Sequence, residues 1–184
     1  IIETKYHLKA INFSTTKEIY PYVDEMFALF NETYSKLASF VPISGRQINY
    51  FKEKYLRFIH PEFVKFVSDE NNKLVAFAIT MPSYAKAMQK AGGHLFPFGF
   101  LHLLKAKRKN DTVDFYLIGV LPEYQKKGVT SIIFSEYFKT YKKHHIKIAR
   151  RTPELEDNQD IQLIWKNFNP KIYIRRATFL KKIH

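Results

Sequence analysis

The sequence predicts a single α/β domain, one mixed sheet with helices packed on its faces. Three observations carry this expectation. At 184 residues the chain has the size of one globular domain, so one domain is expected over 1–184. Its 46% hydrophobic and 16% aromatic content, against 6 Gly and 8 Pro, is that of a chain that builds a core. Strand-like and helix-like apolar patterns alternate along it in the order β-α-α-β-β-β-α-β-α-β-β, with no internal repeat.

Taken in order, Tyr6 to Phe13 alternates as a strand does, and Ser14, Thr15 and Thr16 end it, with Thr15 or Thr16 placed to cap a helix. From Ile19 to Leu37 the residues Val23, Met26, Phe27, Phe30, Tyr34 and Leu37 recur every three or four positions, which predicts an amphipathic helix. A second helix is expected from Gly45 to Ile59. Phe63 to Ser68 and Leu74 to Thr80 are β-rich runs joined by Asp69-Glu70-Asn71-Asn72, a linker suited to a hairpin turn. Tyr84 to Ala91 predicts a short helix that Gly92-Gly93 breaks. The aromatic run Phe96-Pro97-Phe98-Gly99-Phe100 is read as a buried loop packing on the sheet, with a substrate-facing lid as the alternative. Thr112 to Leu121 is the strongest strand, expected to be central and buried on both faces. Beyond it come a helix from Gly128 to Tyr141, a strand from Ile146 to Ala149 and a helix from Asn158 to Phe168. Two short strands, Ile172 to Ile174 and Thr178 to Leu180, are expected last.

With no cysteine, thiolate nucleophiles, disulfides and Cys-based metal sites are excluded, a reducing compartment fits, and a cytoplasmic location is expected. The longest stretch without Asp, Glu, Lys or Arg runs from Ala91 to Leu104, short of the roughly 18 to 20 residues of a membrane span, so no membrane partner is expected. The P-loop, dinucleotide, nucleophile-elbow and zincin signatures are missing from the sequence. His144-His145 is read as a solvated helix end and no metal is expected, since neighbours in sequence do not share a face. Of the net charge of +13, residues 101–184 carry 18 Lys/Arg against 8 Asp/Glu, a net of +10. That half should meet an anion, be it nucleic acid, a lipid surface or a multiply phosphorylated ligand.

One constellation speaks to chemistry. Gly119-Val120-Leu121-Pro122-Glu123-Tyr124-Gln125-Lys126-Lys127-Gly128-Val129-Thr130 follows the strongest strand and opens a helix. A turn at the positive end of a helix dipole, with a glycine that admits close backbone approach and two lysines beside it, is suited to a diphosphate. The segment Tyr116 to Thr130 resembles motif A of the GNAT N-acetyltransferase superfamily, and Glu156-Asp157-Asn158 with Ile161, Ile164, Trp165 and Phe168 is similar to that family's later helix. Phe63-Val64-Lys65-Phe66-Val67 and Asp114 to Val120 resemble the C-terminal half of larger bacterial members, which implies an upstream domain in the full-length protein.

The resemblance implies a mostly antiparallel sheet with a splayed parallel strand pair. It also implies acetyl-CoA, or another acyl-CoA, as co-substrate and a small-molecule or protein amine as acceptor. Ile118, Gly119 and Val120 would meet the pantetheine arm, and Gln125, Lys126, Lys127, Gly128, Val129 and Thr130 the pyrophosphate. Asn158 matches a pantetheine contact, and Asp114 falls where some members place a base. Trp165 stands at the family's usual Tyr position, where a phenol of pKa about 10 protonates the departing thiolate; an indole does not do so at neutral pH. Asp114 and Tyr116, two apart on a strand, share a face. With Glu154 they form the catalytic candidates, set against the alternative that Asp114 pairs with a basic side chain, Tyr116 packs and Glu154 is structural. The reading is an acyl-CoA-dependent N-acyltransferase working by direct transfer in a ternary complex. The alternatives are a CoA-binding or interaction module without catalysis and a basic nucleic-acid-binding domain; the latter lacks the exposed aromatics on strands and the motifs of such modules.

Overall fold

The computed structural model describes residues 2–37, 40–156, 158–179 and 181. They fall into two compact units, Ile1–Arg150 and Arg151–His184. A five-stranded sheet runs in the order β1-β2-β3-β4-β5, formed by Lys9–Asn12, Val64–Ser68, Leu74–Pro82, Thr112–Val120 and Ile148–Arg151. The first three pairings are antiparallel and β4 and β5 are parallel. The mixed, mostly antiparallel sheet flanked by helices is the fold class that the sequence implied.

The first unit begins with a helical turn, α1 (Ile2–Tyr6), so β1 starts at Lys9 and not at Tyr6. Thr15 stands at the N-cap of α2 (Thr16–Ile19), though its hydroxyl donates to Glu18 and not to the backbone. The long helix expected over 19–37 is divided: α2, a 3₁₀ turn at Tyr20–Tyr22 containing Pro21, then α3 (Val23–Tyr34). Proline at the start of a turn fixes φ and supplies no N–H, which resets the helix there. α3 buries Val23, Met26 and Leu29, and Phe30 stacks on Tyr34 with centroids 4.4 Å apart. α4 (Gly45–Lys54) opens on a Ser44–Gln47 capping box, in which each side chain bonds the other's backbone N–H.

The hairpin between β2 and β3 turns where expected. Asp69 Oδ1 accepts from the N–H of Asn71 and of Lys73 at 2.9 Å each, and Asn72 takes the left-handed φ of 61°. β3, not β4, is the middle strand of the sheet. Between them lie α5 (Ala85–Lys90) and α6 (Gly99–Arg108). The aromatic run is therefore no buried loop: Phe96 is 79% and Phe98 69% exposed, and Gly99 opens a helix. α7 (Val129–Lys143) packs Val129, Ile132, Ile133 and Tyr137 on the sheet, the Tyr137 hydroxyl donating to the Phe63 carbonyl at 3.1 Å. His144 is the C-cap of α7, and it contacts Glu62 at 3.1 Å instead of standing in solvent.

The second unit holds α8 (Gln159–Lys166). Among its described residues, 172–174 and 178–179 form no strand, and Ile172, Tyr173 and Ile174 are exposed. β-branched composition alone does not make a strand; it needs a partner edge. Leu180, Lys182 and Asp157, on which parts of the sequence reading fell, lie outside the described residues. Arg175, Arg176 and Lys181 are exposed, as a solvated edge requires.

Candidate active site

The site is built on β4. Between Ile79/Thr80 on β3 and Leu117/Phe115 on β4 the register slips, leaving Tyr116 as the extra residue of a bulge. The bulge turns Tyr116 outward, 45% exposed, so β4 is not buried on both faces. Leu121 N–H donates to the Val75 carbonyl at 2.9 Å, which makes Val120↔Ala76 and, two residues back, Ile118↔Ala78 the pairs that do not bond each other. The backbone N–H and C=O groups of Ile118 and Val120 consequently point to the edge away from β3. Two side chains address their carbonyls: Tyr34 OH donates to Ile118 at 3.0 Å and Gln125 Nε2 to Val120 at 3.2 Å. Gly119 between them is obligatory, because a Cβ there would meet Phe77 at 2.4 Å and Thr33 Oγ1 at 2.8 Å.

β4 runs into a 3₁₀ turn, Pro122–Lys127, and then Gly128, left-handed at φ 74°, as the N-cap of α7 with no side chain closing that helix end. A Cβ at Gly128 would lie 2.8 Å from Ile2 Cδ1, so the α1 side chain rests where a larger residue would project. Val129 is buried, Thr130 half-buried and Lys126 exposed. Lys127 Nζ sits 4.3 Å from the Tyr124 ring centroid and 5.8 Å from that of Tyr6. The side chain of Gln125, expected at a phosphate, instead holds the end of β4.

At the other end of β4, Asp114 meets Arg150 of β5: Nε donates to Oδ1 at 2.8 Å and Nη2 lies 2.7 Å from the same oxygen. Arg150 Nη2 also donates to Ser83 Oγ. Tyr116 and Tyr84 both have phenols pushed above the ordinary value, chiefly by burial; for Tyr116 the Asp114 charge adds to the rise and Arg150 opposes it. Both phenols are therefore protonated donors at neutral pH. The sequence named Asp114 and Tyr116, and the structure brings them into electrostatic contact; Arg150 is the basic side chain that the alternative reading of Asp114 called for, while Ser83 and Tyr84 were missed. Arg150 lies 36 residues from Asp114, and only the parallel pairing of β5 signals it.

Glu154, Asn158 and Trp165 lie in the second unit. Trp165 Nε1 donates to Glu154 Oε1 at 2.9 Å, Arg151 Nη1 to Oε2 at 2.8 Å, and the Arg151 guanidinium lies 5.3 Å from the indole centroid. Burial raises the Glu154 pKa, against the opposing Arg151 charge and the Trp165 bond. With both its oxygens bonded, Glu154 fits the structural alternative. The Asn158 amide oxygen caps α8, accepting from Ile161 N–H at 3.4 Å. Among the described residues no group of three or more His, Cys, Asp or Glu is placed to hold a metal ion, and no helix is long and apolar enough to cross a membrane.

No protein-family model matches this sequence, and no curated protein does so either. Solved structures do. An aminoglycoside acetyltransferase from an uncultured soil metagenomic sample, in complex with sisomicin, matches at TM-score 0.58 and 11% identity over 99% of each chain. The aminoglycoside 6'-N-acetyltransferase AAC(6')-Ih from Acinetobacter baumannii matches at 0.56 and 13%, over 96% of this chain and 99% of its own. Aminoglycoside N-acetyltransferase AAC(6')-Iy in complex with CoA matches at 0.55 and 10%, over 96% and 94%. These neighbours are GNAT-family acetyltransferases, and the chain has their fold.

Proposed function

We propose that this chain, built on the GNAT fold, is an acyl-CoA-dependent N-acyltransferase that uses acetyl-CoA. The observation that carries the reading is the continuous path along β4: outward-facing backbone groups at Ile118 and Val120 lead into the left-handed Gly128 and the uncapped N-terminus of α7. An extended amide-bearing arm ending in a diphosphate fits this donor and acceptor set, since strand-edge groups pair with amides and a helix N-terminus with phosphate. Ile118, Gly119 and Val120 would hold the arm; the backbone of 125–130, with Lys126, would hold the diphosphate. Asn158 and Trp165, implied as cofactor contacts by the resemblance, cap α8 and hold Glu154 within the second unit, and this reading gives neither a part in binding the arm.

When bound, the thioester supplies an activated acyl carbon: the acceptor nitrogen forms the C–N bond, the C–S bond breaks, and the sulfur leaves as thiolate. Both Arg150 contacts fall on Oδ1 of Asp114, which leaves Oδ2 for the acceptor amine in this reading. The carboxylate takes the proton that nitrogen loses, directly or through one water. Tyr116 and Tyr84 keep their protons and donate hydrogen bonds. Without a phenol at position 165, the thiolate takes its proton from solvent.

The direct test is release of free thiol from acetyl-CoA by the purified chain over a panel of amines that includes aminoglycosides, with mass detection of the acylated product. Turnover with any amine supports the reading. CoA binding by calorimetry without turnover across the panel would favour a non-catalytic CoA-binding module, and absence of CoA binding would reject both.

A further inference from the structure

The excursion between β3 and β4 is both basic and apolar on its exposed surface. From Ser83 to Asn110 it contains Lys86, Lys90, Lys105, Lys107, Arg108 and Lys109 and not one Asp or Glu, a run of six cations. Within the same excursion Leu95, Phe96, Phe98, Phe100, Leu101 and Leu104 are all exposed large apolar side chains, Phe96 against Phe100 with centroids 6.2 Å apart. On α6 the inward positions are taken by Gly99, Leu103 and Ala106, so the outward ones, Phe100, Leu101 and Leu104, are a second apolar face. The cations gather in the last turn of that helix and just beyond it. Lys86 is paired with Asp111 at 3.5 Å, whereas the four cations at 105–109 make no ion pair among the described residues.

We propose that this excursion is a docking surface for an anionic lipid bilayer. Six exposed apolar groups beside unpaired cations need a partner with a negative surface and a hydrocarbon interior, and an acidic membrane leaflet offers both within a few ångströms of depth. A single-stranded nucleic acid would supply the charge, but Leu95, Leu101 and Leu104 have no ring to stack on bases, and nucleic-acid sites rely on aromatic platforms. A second copy of this chain would bring like charge to like charge. The 10 residues of α6 lie along a surface and do not cross one. The proposal stands apart from the acyltransferase reading, since neither its observations nor its test involves CoA.

The test is co-sedimentation of the full chain with vesicles of phosphatidylcholine alone and of phosphatidylcholine mixed with phosphatidylglycerol. Binding is expected to the mixed vesicles and to weaken as salt is raised. Phe96→Ser with Phe98→Ser should lower partitioning at least about 10-fold. Lys105→Gln, Lys107→Gln and Arg108→Gln together should lower it about 100-fold, at roughly 5-fold per charge near the surface. All five side chains are exposed, so thermal melts should match the parent. Failure to bind mixed vesicles at low salt overturns the proposal. So does full retention of binding by the double Phe variant, or equal affinity for a single-stranded oligonucleotide that the same variants abolish. A dimer that the Phe variant dissolves, without vesicle binding, would assign the surface to self-association instead.

Discussion

The pair Asp114–Arg150 separates two roles that a carboxylate beside an active-site strand can have. If Asp114 serves only to hold Arg150, its contribution disappears once Arg150 is gone; if it touches the acceptor, the contribution persists. Two N···O contacts of 2.8 and 2.7 Å to one oxygen make a charge-assisted pair, but side-chain exposures of 31% and 21% let solvent screen it. Its coupling in stability should be about 1 to 2 kcal/mol, which for a chain of this size is a melting shift of roughly 2 to 8 °C. Asp114→Asn, Arg150→Met and the double variant should therefore give melts that close a cycle with that coupling. Turnover follows a different pattern. Asp114→Asn should lower kcat about 100-fold, Arg150→Met no more than about 10-fold, and the double variant should remain as slow as Asp114→Asn. A double variant as active as Arg150→Met would refute a direct role for Asp114, whatever the melts show.

Three further outcomes are expected. Gly128→Ala places a Cβ on a left-handed residue and against Ile2, so it should cost about 1 kcal/mol in stability and weaken CoA binding about 10-fold by calorimetry; with Ile2→Ala added the affinity loss should persist, and its recovery would show that Ile2 alone was at fault. Trp165→Phe removes the indole bond to a half-buried carboxylate and should lower stability by about 1 to 2 kcal/mol, read by chemical denaturation, with CoA affinity unchanged. His60 has its pKa held below 6.5, first by burial and then by His144, and its Nδ1 is buried without a bonding partner among the described residues. The unfolded chain therefore binds the proton more readily, so this contribution is present above pH 6.5 and is lost as pH falls through the lower folded value. His60→Phe should flatten the decline in melting temperature between about pH 7 and 5, and an unchanged slope would exclude His60 as its source.

What the sequence made legible is what local pattern controls. The hairpin at Asp69 to Asn72, the helix over 129–143 and the glycine before it depend on turn chemistry and apolar spacing, and each is found within a residue or two of its expected place. What it hid depends on partners far along the chain. Pro97 and the glycines at 92, 93 and 99 made 92–100 read as loop, while the helix that follows keeps its apolar residues outward, so no stripe pointed to a core. Ile172-Tyr173-Ile174 has strand composition but no partner edge among the described residues. Of the candidate catalytic residues, Asp114 and Tyr116 were named from their spacing on one strand. Their electrostatic setting was not, because Arg150 and Tyr84 come from other elements, and the bulge that exposes Tyr116 exists only in the pairing of β3 with β4.

The bulge and the outward carbonyls lie side by side on β4. One surplus residue in a strand bends it and adds local twist. Tyr116 is that residue, and beyond it Ile118 and Val120 turn their polar groups to an edge where β5, which ends at Arg151, has no more backbone to offer. Buried carbonyls left without donors would be costly, and the chain meets this with Tyr34 from α3 and Gln125 from the turn after β4. Each carbonyl has two lone pairs, so one side-chain donor leaves room for a second. The two side chains therefore keep the edge of β4 fixed and satisfied, and in the proposed reading a ligand amide would add to the remaining lone pairs. An edge prepared in this way would lose little order on binding an extended ligand.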